Sequence, residues 1–178
     1  VTQLYETLNV RFGVMLVGPT GGGKTACMRN LAATYGYLRE QGNEDPQYQK
    51  VNIDMINPKA IKMGELYGEF NSSMEWTDGL ASGLIRAAVG DTESGEFYWT
   101  VFDGPVDAIW IENMNTVLDD NKTLCLANGE RIKLPSTVAA MFEVNDLKVA
   151  SPATVSRCGM VFVEPNYLTW QPLAQSWM

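Results

Sequence analysis

The chain contains no histidine, and its three cysteines, Cys27, Cys125 and Cys158, lie far apart. Zinc sites draw on closely spaced thiolates and imidazoles, and disulfide scaffolds on paired cysteines, so neither organises this protein. A reducing, cytosolic setting fits that cysteine usage. Basic runs are missing too. With 13 Lys and Arg against 21 Asp and Glu, the formal charge is −8, which weighs against a nucleic-acid groove. The acidic excess itself reads as a solubility feature. No apolar stretch approaches the roughly 20 residues that cross a bilayer, and the opening residues lack a signal-peptide pattern, so no membrane partner is expected.

The residues that are present describe a globular chain: 46% are hydrophobic and 19% charged over 178 positions, enough for one domain with a substantial core. One segment stands out. Gly18-Pro19-Thr20-Gly21-Gly22-Gly23-Lys24-Thr25 fits a phosphate-binding loop at every required position. It follows the apolar run Gly13 to Val17 and precedes a helix-like stretch from Lys24 to Tyr37, the strand–loop–helix order that the mechanism needs. Glycines let backbone N–H groups curl around phosphates, and the helix N-terminus adds its positive dipole end. Lys24 would reach the β and γ phosphates of ATP, or the β phosphate of ADP, and the Thr25 hydroxyl would ligate Mg²⁺.

Such a loop needs a carboxylate at the end of a neighbouring strand. Phe97 to Phe102 is aromatic and β-branched, a strong strand signal, and Asp103 closes it. The next two residues are Gly104 and Pro105, so the position that carries a water-polarising glutamate in most hydrolysing relatives of this architecture has no proton acceptor. General-base catalysis commonly contributes 10²–10⁴-fold. Turnover should therefore be crippled or absent, unless Asp107 or Glu112 substitutes.

Two further polar residues sit where such a site could use them. Asn145 follows the apolar run Val138 to Val144, within reach of a γ-phosphate or a bound water, although Asn-Asp is also an ordinary turn pair. Arg157 precedes the last apolar run, Met160 to Val163. It could stabilise transition-state charge in a neighbouring subunit's site or form a surface salt bridge, and residue type leaves that choice open.

Between these points, extended segments are expected at Val51–Ile56 and helices at Ala60–Phe70, Thr77–Val89 and Ala108–Leu118. Leu124–Ala127 and Arg131–Leu134 flank Asn128-Gly129, a hairpin signal. Pro152–Ser156 reads as a helical turn. Alternation of β and α elements predicts a parallel sheet with helices on both faces.

The combination resembles an AAA+ module of a dynein heavy chain, of the axonemal kind. Leu4-Tyr5-Glu6-Thr7, Gly18 to Thr25, Asn57-Pro58-Lys59-Ala60 and Glu75-Trp76-Thr77-Asp78-Gly79 carry the likeness. It continues in Phe102 to Asn115, Val117 to Lys122, Leu126 to Arg131 and Ala150 to Met160. The pattern is most similar to the second of the six modules in the motor ring. That resemblance implies an AAA+ large subdomain over residues 1–178, a P-loop NTPase fold with a five-stranded parallel sheet and a β-hairpin insert. It also implies a chain cut from something longer, with its helical lid mostly or wholly outside it. Second modules hold ATP and Mg²⁺ as a fixed ligand, so Gly18 to Thr25, Asp103 and Asn145 would bind nucleotide, with Thr25 and Asp103 on the metal. Arg157 would be an arginine finger offered in trans to the first module. Met63–Trp76 and Leu124–Leu134 resemble the insert loops that face the linker, with Trp76 either a contact point or buried. The implied partners are adjacent modules and the linker of the same heavy chain. Microtubules through other parts of the motor, and intermediate and light chains elsewhere in the complex, complete the set. The implied location is the ciliary or flagellar axoneme. A hydrolysing module with a surrogate base, and an interaction module with an empty loop, are the alternatives.

Overall fold

A computed structural model of the chain describes every residue except Leu168, Thr169, Ser176 and Met178, so the final residue of the expected domain span lies outside the described residues. Five parallel strands form the central sheet: β1 (Gly13–Val17), β2 (Val51–Ile56), β5 (Phe97–Asp103), β8 (Val138–Val144) and β9 (Gly159–Phe162). They lie in the order β2-β5-β8-β1-β9. All five residues of β1 are buried, as expected of a central parallel strand covered on both faces.

Side-chain alternation splits the core in two. Val14 and Leu16 of β1, Trp99 and Val101 of β5, and Met141 of β8 pack with Leu4 of α1 (Thr2–Val10). Met28, Leu31 and Tyr35 of α2 (Lys24–Glu40) complete that cluster. The residues between them, Met15, Val17, Phe102, Ala140 and Phe142, face the other way. They meet α3 (Met63–Tyr67), α4 (Leu80–Gly90), α5 (Ala108–Glu112) and α6 (Asn115–Leu118). On that second face Phe102, Trp110 and Phe142 stack with ring centroids 5.4–5.9 Å apart. The expectation of a five-stranded parallel sheet with helices on both faces is borne out.

Two antiparallel hairpins project from this body. One joins β6 (Thr123–Cys125) to β7 (Arg131–Lys133), close to the expected position. Its tip puts Gly129 at φ +87°, and Asn128 Oδ1 accepts from the Glu130 N–H at 2.9 Å. The other, β3 (Gly68–Phe70) with β4 (Trp76–Asp78), occupies residues expected to end one helix and begin the next. Asn71 builds its turn: the Asn71 side-chain oxygen accepts from Ser73 N and Glu75 N, both at 2.9 Å. Ala108–Leu118 likewise divides into two short helices, α5 and α6. Helix α1 had no counterpart in the sequence-based expectation. α7 (Pro152–Arg157) has the Ser151 side chain as its N-cap, accepting from Thr154 N at 3.2 Å. A 3-10 turn at Pro165–Tyr167 and α8 (Trp170–Gln175) end the described chain. Among the described residues, no helix is long and apolar enough to cross a membrane.

Candidate nucleotide site

The glycine loop sits at the C-terminal edge of the sheet, where α/β sheets receive their ligands. β1 delivers the chain to Gly18, whose N–H donates to the Val144 carbonyl of β8 at 3.1 Å. A Cβ at Gly18 would stand 2.1 Å from the Val163 carbonyl oxygen, so only glycine allows this approach. Gly22 N–H closes a turn onto the Pro19 carbonyl at 3.1 Å. Gly23, at φ +93°, is the N-cap of α2 in the left-handed region, which favours glycine. The first turn of this 17-residue helix therefore opens directly onto the loop.

Thr20, Gly21, Gly23, Lys24, Thr25, Ala26, Asp103 and Glu143 line a cleft of about 430 Å³. Lys24 Nζ donates to the carbonyl oxygens of Gly18 at 2.7 Å and Pro19 at 3.1 Å. An ammonium has three donors, so one remains for an anion. Asp103 arrives from the end of β5, exposed and two strands away from the loop's own strand, with β8 between them. The structure thus brings Thr20, Gly21, Gly23, Lys24, Thr25 and Asp103 to one cleft.

Glu143 is the residue that sequence reasoning missed. Its partner across the β5–β8 register is Asp103, so two carboxylates stand side by side on the sheet edge. Thr25 Oγ1 donates to Glu143 Oε2 at 2.6 Å, and Glu143 is only 3% exposed. Burial pushes its carboxyl above the ordinary value; the Thr25 hydrogen bond and the charges of Lys24 and Arg29 pull the other way, and Asp103 adds to the rise. The other oxygen, Oε1, is buried with no hydrogen-bond partner among the described residues. A charge inside the otherwise apolar run Val138 to Val144 was the available signal.

The remaining candidates fall elsewhere. Asn145 follows β8 but does not line the cleft; its Nδ2 lies 3.4 Å from Asp146 Oδ2. Asp107 caps α5 by accepting from Ile109 N at 2.9 Å and pairs with Lys59. That pairing and the α5 cap hold the Asp107 carboxyl below its usual range. Glu112 is exposed on α5. Neither proposed surrogate base reaches the cleft lining. Arg157 stands at the opposite edge of the sheet, beside a second cleft of about 360 Å³ shared with Arg11, Phe12, Asp119 and Lys122.

The groups present suit a magnesium-bound phosphate chain. Loop and helix N–H groups and Lys24 answer the negative oxygens, while a hydroxyl and two carboxylates answer a hard cation, which takes oxygen ligands. No cluster of three or more Asp, Glu or Cys side chains exists among the described residues. Strand order, loop and carboxylate together define a P-loop domain of the AAA type. The chain belongs to the dynein-related subfamily of AAA domains, whose family description matches residues 13–158. Over its whole length it is 62% identical to human dynein axonemal heavy chain 6, covering 4% of that protein. Identity is 57% to human dynein axonemal heavy chain 1 over 99% of the chain, and 54% to human dynein axonemal heavy chain 2 over all of it. The chain spans about 4% of the length of each of these relatives.

Proposed function

We propose that this chain is an ATP-holding module of an axonemal dynein heavy chain, a microtubule motor of cilia and flagella. It binds ATP with Mg²⁺ and does not hydrolyse it, and its Arg157 serves the site of an adjacent module. Gly18 to Gly23 supply backbone N–H groups to the phosphates, Lys24 supplies charge, and Thr25 and Asp103 hold the metal. Bound Mg²⁺ neutralises and orients the phosphate oxygens. Asn145, immediately beyond β8 but outside the cleft lining, is the candidate for the γ-phosphate end. The second-module assignment, the linker-facing hairpins and the partners named by resemblance belong to the same reading.

One observation carries the non-hydrolysing part: no side chain able to take a proton from water follows Asp103. Gly104 and Pro105 occupy that turn, Asp107 is committed to Lys59 and the α5 cap, and Glu112 is exposed on α5 away from the cleft. Glu143 lines the cleft, but it is buried and its Oε2 already accepts from the Thr25 hydroxyl at 2.6 Å. A general base must reach its proton before its pKa matters.

The test is thermal melting of this chain with magnesium-ATP, alongside phosphate release. ATP should raise the melting temperature, Lys24→Ala should abolish that rise, and phosphate release should stay at background. Steady release that Lys24→Ala removes would sink the non-hydrolysing reading.

A further inference from the structure

We infer that Glu143 is a positioning residue for the metal half of the phosphate loop, making the loop accept nucleotide with its divalent cation and reject the bare nucleotide. The inference rests on the nucleotide reading above and assigns a task to a residue outside the loop and the Asp103 turn.

The Thr25 hydroxyl has one proton and two lone pairs. Its proton is committed to Glu143 Oε2 at 2.6 Å, which fixes the hydroxyl rotor and leaves only lone pairs to face the cleft. Lone pairs are what a hard cation requires. Glu143 reaches this place because β8 lies between β1 and β5: its register partner on one side is Leu16, near the start of the loop, and on the other Asp103. Both carboxylates line the cleft with Thr25 and Lys24.

The second observation is Glu143 Oε1, an acceptor with no partner among the described residues, in a residue that is 3% exposed. An unpaired buried carboxylate oxygen is costly and needs a reason. If Glu143 only tied α2 to β8, one oxygen would suffice and an amide would do as well. A carboxylate is needed only if its negative charge is used. Two adjacent negative charges repel a naked triphosphate and attract one whose charge is offset by a divalent cation. Within the cleft lining Lys24 supplies one positive charge against the two, and Arg29 acts on Glu143 from outside the lining.

Glu143→Gln separates the possibilities, because it keeps volume and an acceptor for Thr25 while removing the charge. Calorimetric titration of this chain with ATP plus Mg²⁺, and with ATP plus EDTA, gives two Kd values and their ratio. The wild type should favour the magnesium form by at least about tenfold. Glu143→Gln should compress the ratio by about tenfold, tightening metal-free ATP while weakening the magnesium form. Equal weakening of both forms, or an unchanged ratio, overturns the inference and leaves the nucleotide reading standing. No ATP binding by the wild type in either condition ends both. Should Glu143→Gln fail to fold, Glu143→Asp, which keeps the charge but withdraws it from the Thr25 hydroxyl, is titrated in the same two conditions. Its preference for the magnesium form should fall, and an unchanged ratio overturns the inference.

Discussion

Arg157 donates through Nε to Asp119, the residue that follows α6, and through a terminal nitrogen to the Ala153 carbonyl at 3.0 Å. The pair draws the guanidinium against its own domain, at the sheet edge remote from the glycine loop. A surface pair of this exposure is worth under about 1 kcal/mol, so it is readily exchanged for a stronger anion. In the assembled motor Arg157→Ala should therefore slow hydrolysis at the adjacent module by about 10³-fold or more, with ATP affinity here unchanged. Phosphate release and nucleotide binding measured on the same preparation decide it. Unchanged hydrolysis with slower microtubule gliding would remove the arginine from the chemistry.

Gly104 bears on the missing base directly. A Cβ there would lie 3.3 Å from Asn57 Oδ1 and 3.4 Å from Pro58 Cδ, a tight but tolerable fit. Gly104→Glu should thus fold and place a carboxylate next to Asp103. If the absent base is what stops turnover, this variant in the assembled motor should gain ATP hydrolysis at this module, read as phosphate release above the parent. If a hidden base already acts, the substitution should add nothing.

The parts of the site that were legible in the sequence are those set by local chemistry. Gly18 to Thr25 declares itself because a loop that wraps phosphate needs glycine at fixed offsets. Asp103 declares itself because it closes an apolar strand. Glu143 showed in the sequence only as a charge inside an apolar run; its role was not legible, since it comes from the pairing of β8 with β5 and from a contact with Thr25 across 118 residues. The same distinction explains the hairpin of β3 and β4. Each strand has three residues, too few for a two-residue period to emerge beside the helical pattern of Leu80–Gly90. Helix α1 carried a readable signal in Leu4 and Leu8, four residues apart and both packed against the α2 side of the sheet.

Trp110 offers a test of how the core supports the site. Its ring stacks on Phe102, the residue before Asp103, with centroids 5.6 Å apart, and its carbonyl accepts from the buried Tyr67 hydroxyl at 2.8 Å. Burial pushes that hydroxyl above its ordinary range, so it stays a neutral donor. Trp110→Ala should cost about 3–5 kcal/mol through lost transfer and cavity formation. Urea unfolding monitored by circular dichroism measures it, and a loss below about 1 kcal/mol would mean that the aromatic stack contributes little.

Arg86 ties the two hairpins together, donating to Asp78 of β4 at 2.8 Å and to Glu130 beside β7 at 2.6 Å. Hydrogen bonds from Arg86 hold both carboxyls below their ordinary range, and Trp76 Nε1 adds to the effect on Asp78. A third carboxyl, Asp91, is held down to about 2, chiefly by the Tyr98 hydroxyl. Depressed values in the folded state mean that the unfolded chain binds these protons first. The stabilisation is fully present above about pH 4, the ordinary carboxyl range, and is lost as pH falls towards 2. Melting temperature should drop through that window. Arg86→Met should flatten the part due to Asp78 and Glu130, while Tyr98→Phe should flatten the part due to Asp91. Because the Arg86 pairs are solvent-exposed, added salt should shrink their share without touching neutral-pH core stability. A pH profile identical in the parent and Arg86→Met would show that the two hairpins are joined by packing, not by charge.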